Sequence, residues 1–565
     1  MQVFQKIPIS ILSTLKHLIL ELIYNMIAYS LALAALASTV TVTCVSSTNT
    51  NTNTNTNAKL SKVIQRQLDT GARVYVESDT GRQMIFHGVN TVVKGYPWVP
   101  LTTEFDIDIS LNENDHINLS NLGVNIYRLG SMWPGIEPNE GEYNATYIDS
   151  LRIITREASN YGIYTILDMH QDVLSEKYCG EGIPAWAAIT DDITFPSPLD
   201  ETYTDKSNID GFPTRQDCSK YNWPKYYNTY NAGLAFQNLY TNVNNVRDAW
   251  GKMWIHLATE LGSVEDSILA YELINEPWSG DNMNNPKLFI PSVADKTYLQ
   301  PTYDSLANDI RTIDNTTLIM FAAVTWDDVV PCGFEHPPGG DEYASQSVFA
   351  YHYYNKPQFL PKIYFHQRNA DAERLQVGQI LTEFERSNVD EDMTDDLYVE
   401  VANYADKYLL SWTNWEYKTF CKENEESINS DSQAAAYGSC KTGYGSHNWL
   451  YNDNGSIISD TAKKLARTYT QYTAGNIINM IFDPITSDYE FIYEHNVDIK
   501  EPTIIYANKQ YNYPNGVLID IIPNILDYTN TNGSENHYEF VMNTNRMKKF
   551  NFKNGEKIKI KMTAK

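Results

Sequence analysis

The chain has 565 residues, too long for one ordinary domain and long enough for a barrel plus a smaller module. Hydrophobic residues make up 42% and aromatics 12%, with Tyr 40 and Trp 11, enough for a sizeable core and for ring-stacking surfaces. A net charge of −27 and a pI near 4.8 argue against a nucleic-acid partner and against electrostatic attraction to an anionic membrane.

The N-terminus carries a targeting signal. Met26 to Ala37 is an apolar h-region, and Ala35 to Ser38 offers small residues for cleavage. Residues 1–45 therefore read as a signal peptide or an uncleaved N-terminal anchor. Residues 46–60 contain a run of alternating Thr and Asn that buries nothing and reads as a disordered linker.

Arg73 to Asn90 has strand-type alternation around Asp79-Thr80-Gly81, the pattern of a hairpin. Its second arm, Met84 to Val89, opens a series of short apolar runs that end in polar residues. The others are Val124 to Arg128, Tyr164 to Asp168, Ile268 to Asn275, Leu318 to Ala322, Val348 to His352, Gln379 to Glu383 and Leu410 to Trp415, eight in all. Helical spacing lies between them at Tyr147 to Tyr161, Asn244 to Leu261, Asp295 to Ile313 and Asp395 to Tyr408. Strand alternating with helix implies parallel pairing with right-handed crossovers. Eight such units predict a (β/α)8 TIM barrel over residues 61–465. Leu174 to Asn244 is the longest insertion, and its aromatics predict an ordered lid. From Phe482 onward short strands crowd together, which predicts a small C-terminal β-sandwich over residues 466–565.

Of the six cysteines, Cys44 lies beside the signal. Cys179 with Cys218 and Cys421 with Cys440 are candidate loop disulfides in an oxidising compartment, leaving Cys332 over. Sequons at Asn118, Asn144, Asn315, Asn454 and Asn532 are candidate glycosylation sites and agree with secretion. No C-x-x-C or clustered His is present, so neither a metal nor another cofactor is expected.

In such a barrel the site forms where strands end at the top face. Those ends supply Asn90, Arg128, Asp168 with His170 and Asp172, Asn275 with Glu276, His352 with Tyr354, Glu383, and Trp412 with Trp415. Two Glu residues, Glu276 and Glu383, end the fourth and seventh runs. A carboxylate pair flanking one bond is what glycoside hydrolysis requires, and the distance between the two decides retention or inversion.

The chain resembles the endoglycoceramidases of glycoside hydrolase family 5. The resemblance runs through HGVNTVVKGYPW (His87 to Trp98), NIYRLGSMWPGIEPNEGEYN (Asn125 to Asn144), ILDMHQDVLSEKYCGEGIPAW (Ile166 to Trp186), YELINEPWSGD (Tyr271 to Asp281), FAYHYYN (Phe349 to Asn355), LTEFE (Leu381 to Glu385) and SWTNWEYK (Ser411 to Lys418). It implies a retaining hydrolase that cuts oligosaccharide from ceramide in glycosphingolipids. Glu276 would be the acid/base and Glu383 the nucleophile. Asn275, Lys94 and Asp172 would bind sugar hydroxyls, Tyr354 would position the nucleophile, and Trp415 would be a stacking floor. Arg128, His170 and His352 would orient the carboxylates, and Trp133, Pro134, Trp186 and Trp278 would line a lipid channel. LTEFE departs from the usual pattern, because Glu385 stands where relatives often have Gly, and Asn414 and Glu416 flank the platform. The implied partner is a glycosphingolipid at a membrane or micelle surface, met by a secreted monomer, with a lipid-presenting activator left open. A family 5 endogalactosylceramidase, steryl-β-glucosidase or endoglucanase, and a non-catalytic glycolipid binder, are the alternatives.

Overall fold

The structure is a computed structural model. It describes residues 60–565 apart from 192, 202, 204–211, 214, 263–264, 325–329, 355–359, 386–392, 394–395, 421–449 and 532–533. The leader and linker expected over residues 1–59, and the Cys421–Cys440 pair, lie outside the described residues.

Three short strands come first: β1 (Val63–Gln67), β2 (Arg73–Glu77) and β3 (Gln83–Met84). Eight barrel strands follow: β4 (His87–Thr91), β5 (Ile126–Gly130), β6 (Tyr164–Asp168), β7 (Ile268–Glu272), β8 (Leu318–Phe321), β9 (Ser347–Tyr353), β10 (Gly378–Phe384) and β11 (Ser411–Asn414). They close in the order β10-β11-β4-β5-β6-β7-β8-β9, and each neighbouring pair is parallel. The fold is therefore the expected (β/α)8 barrel. Helices Ala145–Ser159, Val246–Leu257, Gln300–Arg311 and Leu397–Lys407 occupy the segments with helical spacing. The first of them is capped by the Asn144 side chain, which accepts from the Tyr147 N–H.

The barrel is filled by side chains. Ile126, Ile166, Ala270, Met320, Ala350 and Ile380 form one buried cluster, to which β1 to β3 and their flanks add Val63, Tyr75, Met84 and Phe86. This corrects the expected start of the barrel. Met84 lies in another sheet and the first barrel strand begins at His87, because the Asp79-Thr80-Gly81 turn sends the hairpin back on itself as antiparallel strands.

After the barrel come β12 (Tyr469–Thr473), β13 (Gly475–Phe482), β14 (Tyr489–His495), β15 (Thr503–Tyr506), β16 (Val517–Ile522), β17 (Leu526–Asn530), β18 (His537–Met542) and β19 (Lys557–Ala564). They make two antiparallel sheets, β1-β2-β3-β12-β15-β18-β17 and β13-β14-β19-β16. Along β14, Tyr489, Phe491, Tyr493 and His495 are buried while the residues between them are not, the period of a sheet with one covered face. The N-terminal hairpin is thus part of the larger of these two sheets. No helix among the described residues is long and apolar enough to cross a membrane.

Candidate active site

Arg128, on β5, is the centre of the site and is wholly buried. Its Nε and Nη2 donate to the two carboxylate oxygens of Glu272 at 2.6 and 3.1 Å. Nη1 donates to Glu383 Oε1 at 2.7 Å and to Asn90 Oδ1 at 2.9 Å. Nη2 also donates to Asn275 Oδ1 at 2.9 Å and lies 3.1 Å from Asp168. One guanidinium on β5 therefore orients groups from β4, β6, β7 with the loop after it, and β10. A planar five-donor cation suits that task and an ammonium does not. Burial works against its charge, but Asp168, Glu272 and Glu383 outweigh burial and keep it protonated.

Glu383 is near the end of β10. Arg128 holds Oε1, and the Tyr354 hydroxyl donates to Oε2 at 2.8 Å. Burial alone would raise its carboxyl, yet His352, Arg128, His170 and the Tyr354 hydrogen bond together hold it below the usual Glu value. The charged form is the one this setting favours.

Glu276 stands four residues beyond β7, past the strand and not at its tip as its place in the apolar run suggests. Its φ is 38°, in the left-handed region that costs an L residue about 1 kcal/mol. Gln171 offsets that strain: its Nε2 donates to the carbonyls of both Asn275 and Glu276 at 2.8 Å. His352 Nδ1 lies 2.9 Å from Glu276 Oε1 and 3.5 Å from Glu383 Oε2, so the imidazole bridges the two carboxylates. The two Glu residues and His352 offer atoms within 4.8 Å of one another. Two carboxylates this close can act on one bond, as glycoside hydrolysis requires. The Glu276 side chain is 17% exposed and that of Glu383 6%, so Glu276 faces the open side of the pair.

A second cluster lies beside the first. Asp172 forms a close ion pair with Lys94, and His170 Nε2 is 3.6 Å from Asp172 while its Nδ1 is 2.9 Å from Asp168. Burial would lower the His170 pKa, but its bonds to Asp168 and Asp172 bring it up to about 9. Asp172 is pressed up by burial and brought well below the carboxylate range by Lys94 and His170. The Trp415 ring stacks on His170 at 5.2 Å and sits 4.7 Å from the Lys94 ammonium. His170, Asp172 and Glu181 also have the spacing of cation ligands, but the Lys94 ammonium stands on that group.

Every sugar-site residue expected from the sequence falls in these two clusters. Several residues of the site were not expected. Glu272 lies inside the apolar run that leads to Glu276, and a charge on a barrel strand should have signalled a buried partner. Glu181 and Gln171 sit in a loop whose pairing no periodicity reveals. The expected lipid-channel residue Trp133 is instead core: it is wholly buried, donates from Nε1 to Glu137 at 2.9 Å, and packs on Trp186 and Trp250. Trp278 is stacked on Tyr227 at 4.6 Å. Glu385 falls just after β10.

Cys179 and Cys218 are joined, with Cα atoms 5.4 Å apart, and Cys332 is free and buried. Of the sequons, Asn144, Asn315 and Asn454 are exposed. Asn118 is half-buried and donates to the Tyr451 hydroxyl at 3.2 Å, a bond a glycan there would break. Asn532 lies outside the described residues.

The sequence profile described as cellulase (glycosyl hydrolase family 5) matches residues 78–420, and that of the glycoside hydrolase family 5 C-terminal domain matches residues 467–561. The endoglycoceramidase of Hydra vulgaris is 40% identical over 490 residues, 85% of this chain and 88% of that protein. That of Cyanea nozakii is 38% identical over 447 residues, 78% of this chain and 84% of that protein. The solved endo-glycoceramidase II from Rhodococcus sp. superposes with a TM-score of 0.63 at 19% identity, covering 87% of this chain and 99% of that one. The chain belongs to glycoside hydrolase family 5, with the endoglycoceramidases.

Proposed function

We propose that the enzyme releases the intact oligosaccharide from ceramide by double displacement. The observation that carries this is the carboxylate pair within 4.8 Å, of which only Glu383 is tied down by Arg128 and Tyr354. Glu383 attacks the anomeric carbon while Glu276 gives its proton to the departing ceramide oxygen. The glycosyl ester that forms cancels the Glu383 charge beside His352. Glu276, now a carboxylate, takes a proton from water, whose oxygen attacks the anomeric carbon and frees Glu383. Both displacements invert, so configuration is kept.

Asn275 turns its amide nitrogen to the hydroxyl next to the anomeric carbon, since Arg128 occupies its oxygen and the Gln171 backbone carbonyl takes one hydrogen, with His170 Nε2 no nearer than 3.5 Å to the same nitrogen. Lys94 and Asp172 bind the hydroxyls farther out, and Trp415 underlies the ring. Arg128, His170 and His352 hold the carboxylates in register. The lipid half of the assignment is supported by the relatives named endoglycoceramidase, and by Rhodococcus structures titled as a lactosyl-enzyme intermediate and as a ganglioside GM3 complex.

The same reading places the enzyme outside the cytosol, secreted or in a lysosomal or digestive lumen, as a glycosylated monomer acting at a micelle or membrane surface, with a lipid-presenting activator as an added partner. The Cys179–Cys218 bond and the exposed Asn144, Asn315 and Asn454 support that setting. The test is a panel: a lactosylceramide, a galactosylceramide, a steryl glucoside and carboxymethyl cellulose, each incubated with purified protein. Free lactose with ceramide is the expected product, and turnover of the polymer alone would overturn the assignment.

A further inference from the structure

The insertion after β6 reaches back to the sugar cluster through Glu181. Asp172 and Glu181 form an isolated antiparallel bridge, with the Asp172 N–H donating to the Glu181 carbonyl at 2.9 Å and the Glu181 N–H to the Asp172 carbonyl at 2.7 Å. Glycines flank Glu181 because the backbones touch. A Cβ on Gly180 would lie 2.0 Å from the Asp172 carbonyl oxygen, and one on Gly182, at φ 137°, 2.2 Å from the Gln171 Cβ. Cys179, one residue before Gly180, is tied by its disulfide to Cys218 across the insertion. The Glu181 side chain is thereby carried in beneath Lys94: it is 5% exposed, and Oε1 lies 3.5 Å from the Lys94 ammonium. Trp223, also from the insertion, stands 5.8 Å from the same ammonium, which Trp415 approaches at 4.7 Å.

We propose that Glu181 is a positioning residue for head-group binding: as a neutral carboxylic acid it donates to Asp172 and keeps the Asp172–Lys94 pair aimed at the sugar. The proposal rests on the glycosidase reading above. Three charged groups already meet at this spot, Lys94 from the loop after β4 and His170 and Asp172 from the loop after β6, with Glu416 of the loop after β11 acting on Lys94. Lys94 is satisfied by Asp172, so a second buried carboxylate would repel the first. Burial, and next to it the Asp172 carboxylate within 4.8 Å, push the Glu181 carboxyl well above the usual Glu value against the pull of Lys94. A carboxylic acid next to a carboxylate shares its proton, and an amide reproduces the donor without the charge.

The test compares wild type, Glu181→Leu and Glu181→Gln on lactosylceramide, recording kcat and KM from acidic to alkaline pH. Glu181→Leu removes a hydrogen bond to a buried charge and should raise KM by about ten-fold with kcat changed less than about two-fold. Glu181→Gln should recover most of that loss. Wild-type KM should also climb as pH rises and Glu181 ionises beside Asp172, and Glu181→Gln should climb less, keeping only the share that follows His170 as it loses its proton at about 9. A Gln variant as impaired as Leu, or one whose KM climbs with pH as in wild type, would overturn the proposal. If Glu181→Leu fails to fold, the Gln pH profile alone decides. An inactive wild type would instead refute the glycosidase reading.

Discussion

Arg128 and Glu272 meet in a two-pronged pair, Nε to Oε2 at 2.6 Å and Nη2 to Oε1 at 3.1 Å, with both side chains at most 1% exposed. Burial and the neighbouring Asp168 raise the Glu272 carboxyl, and Arg128 works against both. The guanidinium thus neutralises the floor of the site while its remaining hydrogens fix Glu383, Asn90 and Asn275. Replacing it by Met strands Glu272, Asp168 and Glu383 without a counter-charge. Arg128→Met should lower unfolding free energy by about 3–5 kcal/mol, read as a shifted midpoint in denaturant. A midpoint within experimental error of wild type would contradict this account of the floor.

The two carboxylates have separable failures. Glu383→Gln should cut kcat at least ~10³-fold, about 4 kcal/mol on the barrier, with an unchanged circular dichroism spectrum. Glu276→Ala should be rescued by azide on an aryl lactoside and yield the β-lactosyl azide, since azide needs no general base and the covalent ester is still formed. An α-azide, or equal rescue of Glu383→Ala to the β-product, would reverse the roles.

His170 predicts a pH dependence of stability. Its folded value of about 9 lies above an unfolded value of about 6.5. The stabilisation is therefore fully present below about 6.5 and is lost as pH rises through about 9. Thermal midpoints of wild type should fall across that window, and His170→Gln should show a flatter profile there. An alkaline limb of equal steepness in the variant would remove His170 from the explanation.

The order of the barrel was legible because each strand is an apolar run that ends in a polar residue, and the helices between carry their own period. The carboxylate pair followed from the same punctuation at Asn275-Glu276-Pro277 and at Glu383. Three things were not legible, each for a physical reason. Met84 and His87 are three residues apart in one strand-like run, and only long-range pairing with Tyr472 separates them into two sheets. Glu272 hid in an apolar run because its charge is cancelled by a residue 144 positions away. Glu181 owes its place to backbone contact with Asp172, where side-chain pattern is silent and only the flanking glycines leave a trace.

The Cys179–Cys218 bond closes a loop with a sequence separation of 39, and it steadies the arm that carries Glu181. Cys179→Ser with Cys218→Ser should cost up to about 4 kcal/mol of stability, less wherever the unfolded chain is already compact. Its KM for lactosylceramide should rise, because Glu181 and Trp223 lose their tether. A destabilised variant with an unchanged KM would separate the disulfide from the sugar site.

Proton NMR of the sugar as it first appears from lactosylceramide tests the retaining cut between oligosaccharide and ceramide. The expected result is β-lactose before mutarotation, with ceramide released in equal amount and no free galactose. First-formed α-lactose, or stepwise release of galactose and then glucose, would contradict it.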